Sequence, residues 1–125
     1  MAAKQPRPVM DTAAAIQAAI DEGAQHGLAR LNLWQQTVFL VAEAELLADM
    51  GAEFCSQYPA DTFADTFAAA FRRIGAQHIA GLFTRLATHP HDTECEQRLA
   101  AALSNREGYN YQTLTDYVVS QQKAT

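Results

Sequence analysis

The stretch Phe63–Thr88, "FADTFAAAFRRIGAQHIAGLFTRLAT", carries two helical stripes separated by one glycine. Phe63, Phe67, Phe71 and Ile74 recur at i, i+4, i+8 and i+11. A helix of about 3.6 residues per turn brings all four to one side. Beyond Gly75, Ile79, Leu82, Phe83 and Leu86 repeat the pattern at i, i+3, i+4 and i+7. Gly75 predicts a tight connection, and short connections make consecutive helices antiparallel neighbours. The phenylalanine stripe reads as core packing and not as a cofactor box. Phe67, Phe71, Ile79 and Phe83 are therefore expected in one core. The fold class that follows is all-α, a single compact bundle of five or six helices.

Working outward, a first helix should start near Asp11 or Thr12, either of which can cap it. It carries Ile16 and Ile20, and Gly23 and Gly27 are expected to end it. A second opens at "NLWQ", where Asn32 and Gln35 have the spacing of a capping box. Trp34, Val38, Val41 and Leu46 fall near one face, and Phe39, Leu40 and Leu47 widen it. So broad a stripe predicts a central helix with neighbours on two sides. Gly51 should kink or interrupt it, and "AEFCSQY" should add a turn or two before Pro59.

The helix of the phenylalanine stripe is expected to start at Asp61. "HPHD" stops the next one, because Pro90 disfavours helix at His89. A fifth runs from about Asp92 to Ser104 with Leu99 and Leu103 inward. "NREGYNY" is a loop, and a last helix carries Leu114, Tyr117 and Val118. No segment alternates as a strand would.

The chain has 125 residues, the size of one domain. Residues 1–9 read as a flexible arm and 10–125 as the helical domain. Apolar residues make up 49% and charged residues 18%, which is globular composition and not that of a disordered chain. A net charge of −5 argues against direct nucleic-acid binding through phosphates and against attachment to an anionic membrane. The longest apolar run, "TVFLVA", is too short to span a bilayer. Cys55 and Cys95 form no C-x-x-C pair and read as free thiols of a reducing, cytoplasmic compartment.

Catalytic signatures are few. G-x-S-x-G, the P-loop and G-x-G-x-x-G are all missing, so no cofactor is expected. Glu43 and Glu45 point to different helix faces and make a poor carboxylate pair. The richest ligand-type cluster is "HPHDTECE", His89–Glu96. It could serve a small metal-dependent enzyme, since metal sites need such ligands converging at about 2.0–2.3 Å. The simpler reading makes Asp92 or Thr93 a helix cap, with Glu94 and Glu96 in a first turn where the macrodipole favours anions. On that reading no metal is bound. His26 and His78 are single histidines on helical segments, better read as surface or satisfied core residues than as ligands.

Charge distribution says more. Between Leu31 and Phe71 the chain has no Lys or Arg, while Glu43, Glu45, Asp49, Glu53, Asp61 and Asp65 all fall there. Glu45, Asp49 and Glu53 share a face if the helix stays regular, and Asp61 and Asp65 repeat the spacing. Like charges at i, i+4 cost helix stability. Glu45, Asp49, Glu53, Asp61 and Asp65 are therefore the candidate partner-binding residues, a docking face for a basic protein. The competing reading is a solvated face that aids solubility. An immunity or antitoxin-like binder would follow the same acidic logic, and a homo-oligomer stays open.

From "FRRIGAQHIAGLFTRLAT" to the closing Leu-x-x-Tyr-Val (Leu114–Val118), the chain resembles the small helical domain of the bacterial DNA-mimic-protein family. Most members are uncharacterised, and some present acidic surfaces that imitate duplex DNA to a DNA-binding protein. The resemblance covers about Leu33–Val119. That family's Asn-Gly-Gly-Phe-x-Gln-Tyr segment corresponds here to "DMGAEFCSQY", where Gly51, Phe54, Gln57 and Tyr58 echo it and the Asn-Gly pair is absent. The resemblance implies a non-catalytic acidic module, without assigning a role to any single residue.

Overall fold

The computed structural model describes residues 11–50, 58, 62–90 and 92–124. Among these residues there are six helices and no strand. Helix α1 is Thr12–His26 and α2 is Leu33–Asp49, joined through a single 3-10 turn, Leu28–Arg30. Helix α3 opens as a π-helical turn, Phe63–Phe67, and continues as regular helix over Ala68–Arg73. Then follow α4 (Gln77–Thr88), α5 (Thr93–Ser104) and α6 (Tyr111–Ala124). The bundle is all-α, as the stripes require. The expected arm, the kink at Gly51, the turns after it, Cys55 and a helix start at Asp61 lie outside the described residues.

Local chemistry sets the helix ends. At α2, the Asn32 side chain accepts from the Gln35 amide at 3.0 Å, and the Gln35 side chain accepts from the Asn32 amide at 2.9 Å. This is the reciprocal capping box. Asn110 and Thr113 exchange the same pair of bonds at the start of α6. Gly75, at φ 83°, ends α3. The Ala76 amide reaches the Phe71 carbonyl at 2.9 Å and the Gly75 amide reaches that of Arg72 at 3.0 Å, the two bonds of a Schellman end.

Helix α2 is central, packed against α1, α3, α5 and α6. The core is aromatic between α3 and α4, where Phe67 stacks on Phe83 at 5.1 Å between ring centres and Phe71 lies 5.6 Å from Phe83. Phe63, Phe67, Phe71, Ile79 and Phe83 are fully buried. Among the described residues one polar side chain joins them inside: Thr37 of α2 donates to the Leu33 carbonyl and accepts from Arg73 of α3 at 2.7 Å.

Two sequence expectations fail. Gly23 does not end α1 but sits inside it, buried, where a Cβ would stand 2.5 Å from the Phe39 ring. The glycine lets α2 approach; Gly27, at φ 79°, ends the helix instead. Leu46 is not inward but 53% exposed. The buried face of α2 is set by Val38, Leu40, Val41, Ala44 and Leu47, and at 100° per residue Leu46 falls opposite it.

Candidate functional site

The five acidic candidates do not share one fate. Glu45 is drawn inward: both its oxygens take the Arg106 guanidinium, at 3.0 and 3.1 Å, and Tyr109 donates its hydroxyl to the same carboxylate. The Glu45 bond raises the Arg106 pKa, and burial followed by that carboxylate raises the Tyr109 pKa. Its charge is spent on tying α2 to the α5–α6 connection. Asp49 is exposed in the last turn of α2, and Asp65 is exposed on the π turn of α3. Glu53 and Asp61 lie outside the described residues.

The C-terminal end of α2 is chemically unusual. Its last turn carries no basic residue, although the negative end of the helix dipole favours one. Leu46 and Met50, at i and i+4, are 53% and 67% exposed and flank Asp49. Two exposed apolar side chains and a carboxylate therefore share one helix end.

Toward its N-terminus the same face of α2 becomes the floor of a groove of about 650 Å3. Leu28, Phe39, Leu40 and Phe67 give it an apolar lining, and Thr62 and Thr66 bring hydroxyls from the start of α3. Glu43 is its charged member, accepting the Tyr58 hydroxyl hydrogen at 2.8 Å. Burial, then the Glu43 carboxylate, holds the Tyr58 phenol well above its ordinary pKa. The Tyr58 ring is fixed edge-on against Phe67 at 5.2 Å. Sequence reasoning missed this groove. Its one local signal was Gly23, taken for a helix end although it marks close approach.

The His89–Glu96 segment is organised around its helix. Asp92 caps α5, its Oδ1 accepting from the Cys95 amide at 3.0 Å and its Oδ2 taking Arg85 at 3.1 Å. That amide bond, with Arg85 and His89 assisting, lowers the Asp92 pKa. His89 shares a hydrogen bond with Thr88, and Glu94 pairs with Arg98 at 3.6 Å. Cys95 is buried, with its thiol pKa pushed up by desolvation and by Asp92. Both Asp92 oxygens are thus committed to protein donors. His91 lies outside the described residues, and among those described no group of three His, Cys, Asp or Glu side chains converges as a metal site would.

No described helix is long and apolar enough to cross a membrane. Comparisons with protein-family models, with curated proteins and with solved structures found no match to this chain.

Proposed function

We propose that the chain is a non-catalytic interaction module that meets a basic protein through the C-terminal end of α2. The observation that carries this is the grouping of exposed Leu46 and Met50 around exposed Asp49, on a helix end whose last turn supplies no basic residue; the nearby Arg106, which Asp49 also attracts, is bound by Glu45. A carboxylate at that end costs stability, and exposed large apolar side chains cost solubility. Contact with a partner offering Lys or Arg beside apolar side chains offsets both. Asp65 adds a second exposed carboxylate, whereas Glu45 is excluded by its pairing with Arg106.

DNA mimicry is the narrower version of this reading and has less support. A duplex carries one charge per about 1.7 Å of axis, and a helix rises about 6 Å over four residues. With Glu45 neutralised by Arg106 and Glu43 engaged by Tyr58, the free carboxylates on α2 are sparser still. A basic protein recognised by a small acidic-apolar patch fits better than a duplex-binding surface.

The test is affinity capture from native cytosol at low and high salt, by the native chain and by Leu46→Ser/Met50→Ser and Asp49→Lys variants. A basic protein held by the native chain, weakened by salt and lost from the variants, supports the reading. Salt acts because exposed charges are screened over about 8 Å at physiological ionic strength. Equal capture by all three chains sinks it. So does concentration-dependent self-association that the variants abolish, since the patch would then meet a second copy.

A further inference from the structure

We infer that the groove between α1, α2 and the π turn of α3 is a binding site for a small organic cation with an apolar body. This reading stands apart from the protein-docking patch, since it concerns a concavity and a different carboxylate.

The size and lining fit a small ligand. Sites for such molecules are concave, of about 300–1,000 Å3, and mostly apolar with a few placed polar groups. This groove holds about 650 Å3 between Leu28, Phe39, Leu40 and Phe67. Its polar groups are the hydroxyls of Thr62 and Thr66 and the Tyr58–Glu43 pair.

The charge of the ligand follows from Glu43. This carboxylate is half-buried and its Oε2 is occupied by Tyr58. Among the described residues nothing hydrogen-bonds Oε1, and no Lys, Arg or His lines the groove. An anion within apolar walls is best compensated by a cation that brings its own apolar surface. An ammonium can donate to Oε1 while its hydrocarbon body lies against the half-buried Phe39 ring, whose aromatic face attracts cations further. An anionic ligand would meet Glu43 unscreened, and a neutral one would leave it uncompensated.

The local backbone is shaped for this opening. Gly23 removes the side chain that would otherwise displace the Phe39 ring forming one wall. The opposite wall starts as a π turn, a widened helical form that recurs at functional sites. Tyr58 is a protonated donor to Glu43 through the physiological range, as any tyrosine hydroxyl is, so the carboxylate is held in one position.

The experiment is an NMR titration of the full chain with 2-phenylethylammonium, 2-phenylethanol and 3-phenylpropanoate, which share a ring and differ in charge. The ammonium should bind with a dissociation constant of about 1 mM, as suits so small a molecule. It should move the amides of Gly23, Leu28, Phe39, Glu43 and Thr66. The alcohol should bind about tenfold more weakly and the carboxylate not detectably. Glu43→Gln keeps an acceptor for Tyr58, and should remove the preference for the ammonium without altering the alcohol. If that variant does not fold, Thr66→Lys supplies a competing cation at the rim and should abolish ammonium binding. Binding indifferent to charge, shifts confined to other surfaces, no binding at tens of millimolar, or an ammonium preference that survives these substitutions would each overturn the assignment.

Discussion

Glu45 and Arg106 stand 61 residues apart in the chain and meet in a two-pronged ion pair, Nε to Oε2 at 3.0 Å and Nη2 to Oε1 at 3.1 Å. Buried Tyr109 donates its hydroxyl to the same carboxylate. One acid of α2 thereby fixes the chain between α5 and α6. Glu45→Ala leaves the Tyr109 hydroxyl without its acceptor, and an orphaned buried hydroxyl costs about 1–3 kcal/mol. Urea unfolding should show a loss near 2 kcal/mol, and Glu45→Gln, which retains an acceptor, a smaller one. A midpoint unchanged in Glu45→Ala would show that the contact adds nothing.

Arg106 itself occupies a left-handed position, φ 49°, just past the end of α5. The Arg106 amide bonds to the Leu103 carbonyl and the Glu107 amide to that of Ala102, the same paired closure that Gly75 makes after α3. Glycine is the usual occupant because it has no Cβ to strain. Arg106→Ala should lose both the ion pair and the turn's tolerance. Arg106→Gly loses only the ion pair, and should unfold at higher urea than the alanine variant by the equivalent of about 1 kcal/mol. The reverse order would mean that backbone strain at this turn is negligible.

Two glycines inside helices should respond oppositely to alanine. Gly81 in α4 is exposed, with open space where a Cβ would go. Gly81→Ala should stabilise by about 0.5–1 kcal/mol from helix propensity alone. Gly23→Ala gains the same propensity but pushes a methyl into the Phe39 ring, 2.5 Å away. Overpacking typically costs about 1–3 kcal/mol, so the balance should be a loss. Phe39→Leu combined with Gly23→Ala should recover part of it, because the two side chains compete for one space. Thermal melts of the three variants beside the native chain settle the signs.

Phe67 sits at the centre of the aromatic core, stacked on Phe83 and touching Tyr58 edge-on. Phe67→Ala should destabilise by about 3–5 kcal/mol. It should also loosen Tyr58, and so the Glu43 wall of the groove. An unchanged urea midpoint would contradict the packing of α3 on α4.

What was legible in the sequence was local. The Phe63–Phe67–Phe71 stripe, the Asn32–Gln35 box, the Gly75 break and the Asp92 cap all depend on residues within one or two turns of each other. Those features carry the all-α fold and most of its helix ends. The site was harder because its determinants are distant in sequence. Nothing near Glu45 announces Arg106, and the Tyr58–Glu43 bond crosses the end of α2. The stripe reading is also too generous: it takes Leu46 as inward, although a 100° step per residue places it nearly opposite Ala44, at the middle of the buried face. Gly23 shows the remaining ambiguity, since a glycine that ends a helix and one that admits a neighbouring ring look identical in the chain.

The last prediction concerns pH, where the two ends of the scale involve different residues. Asp92 has a folded pKa below its ordinary 3.8, chiefly through the Cys95 amide and then Arg85. A carboxyl depressed by folding adds stability that is complete above the unfolded value and disappears as pH falls through the folded one. Its contribution should therefore fade below about pH 4, and Asp92→Ala should flatten the acid limb of stability without moving the alkaline one. Tyr58 and Tyr109 are displaced upward from 10.0, each first by burial and then by its carboxylate, Glu43 or Glu45. A raised phenol adds stability that is complete below the unfolded value and is lost as pH climbs toward the folded one. The alkaline limb should thus begin near pH 10, and these two phenols should ionise only as the chain unfolds. Phenolate absorbance followed alongside circular dichroism tests this directly. Tyr109→Phe should remove one late-ionising phenol. Ionisation of all four tyrosines before any loss of helix would show that neither hydroxyl is held by its carboxylate.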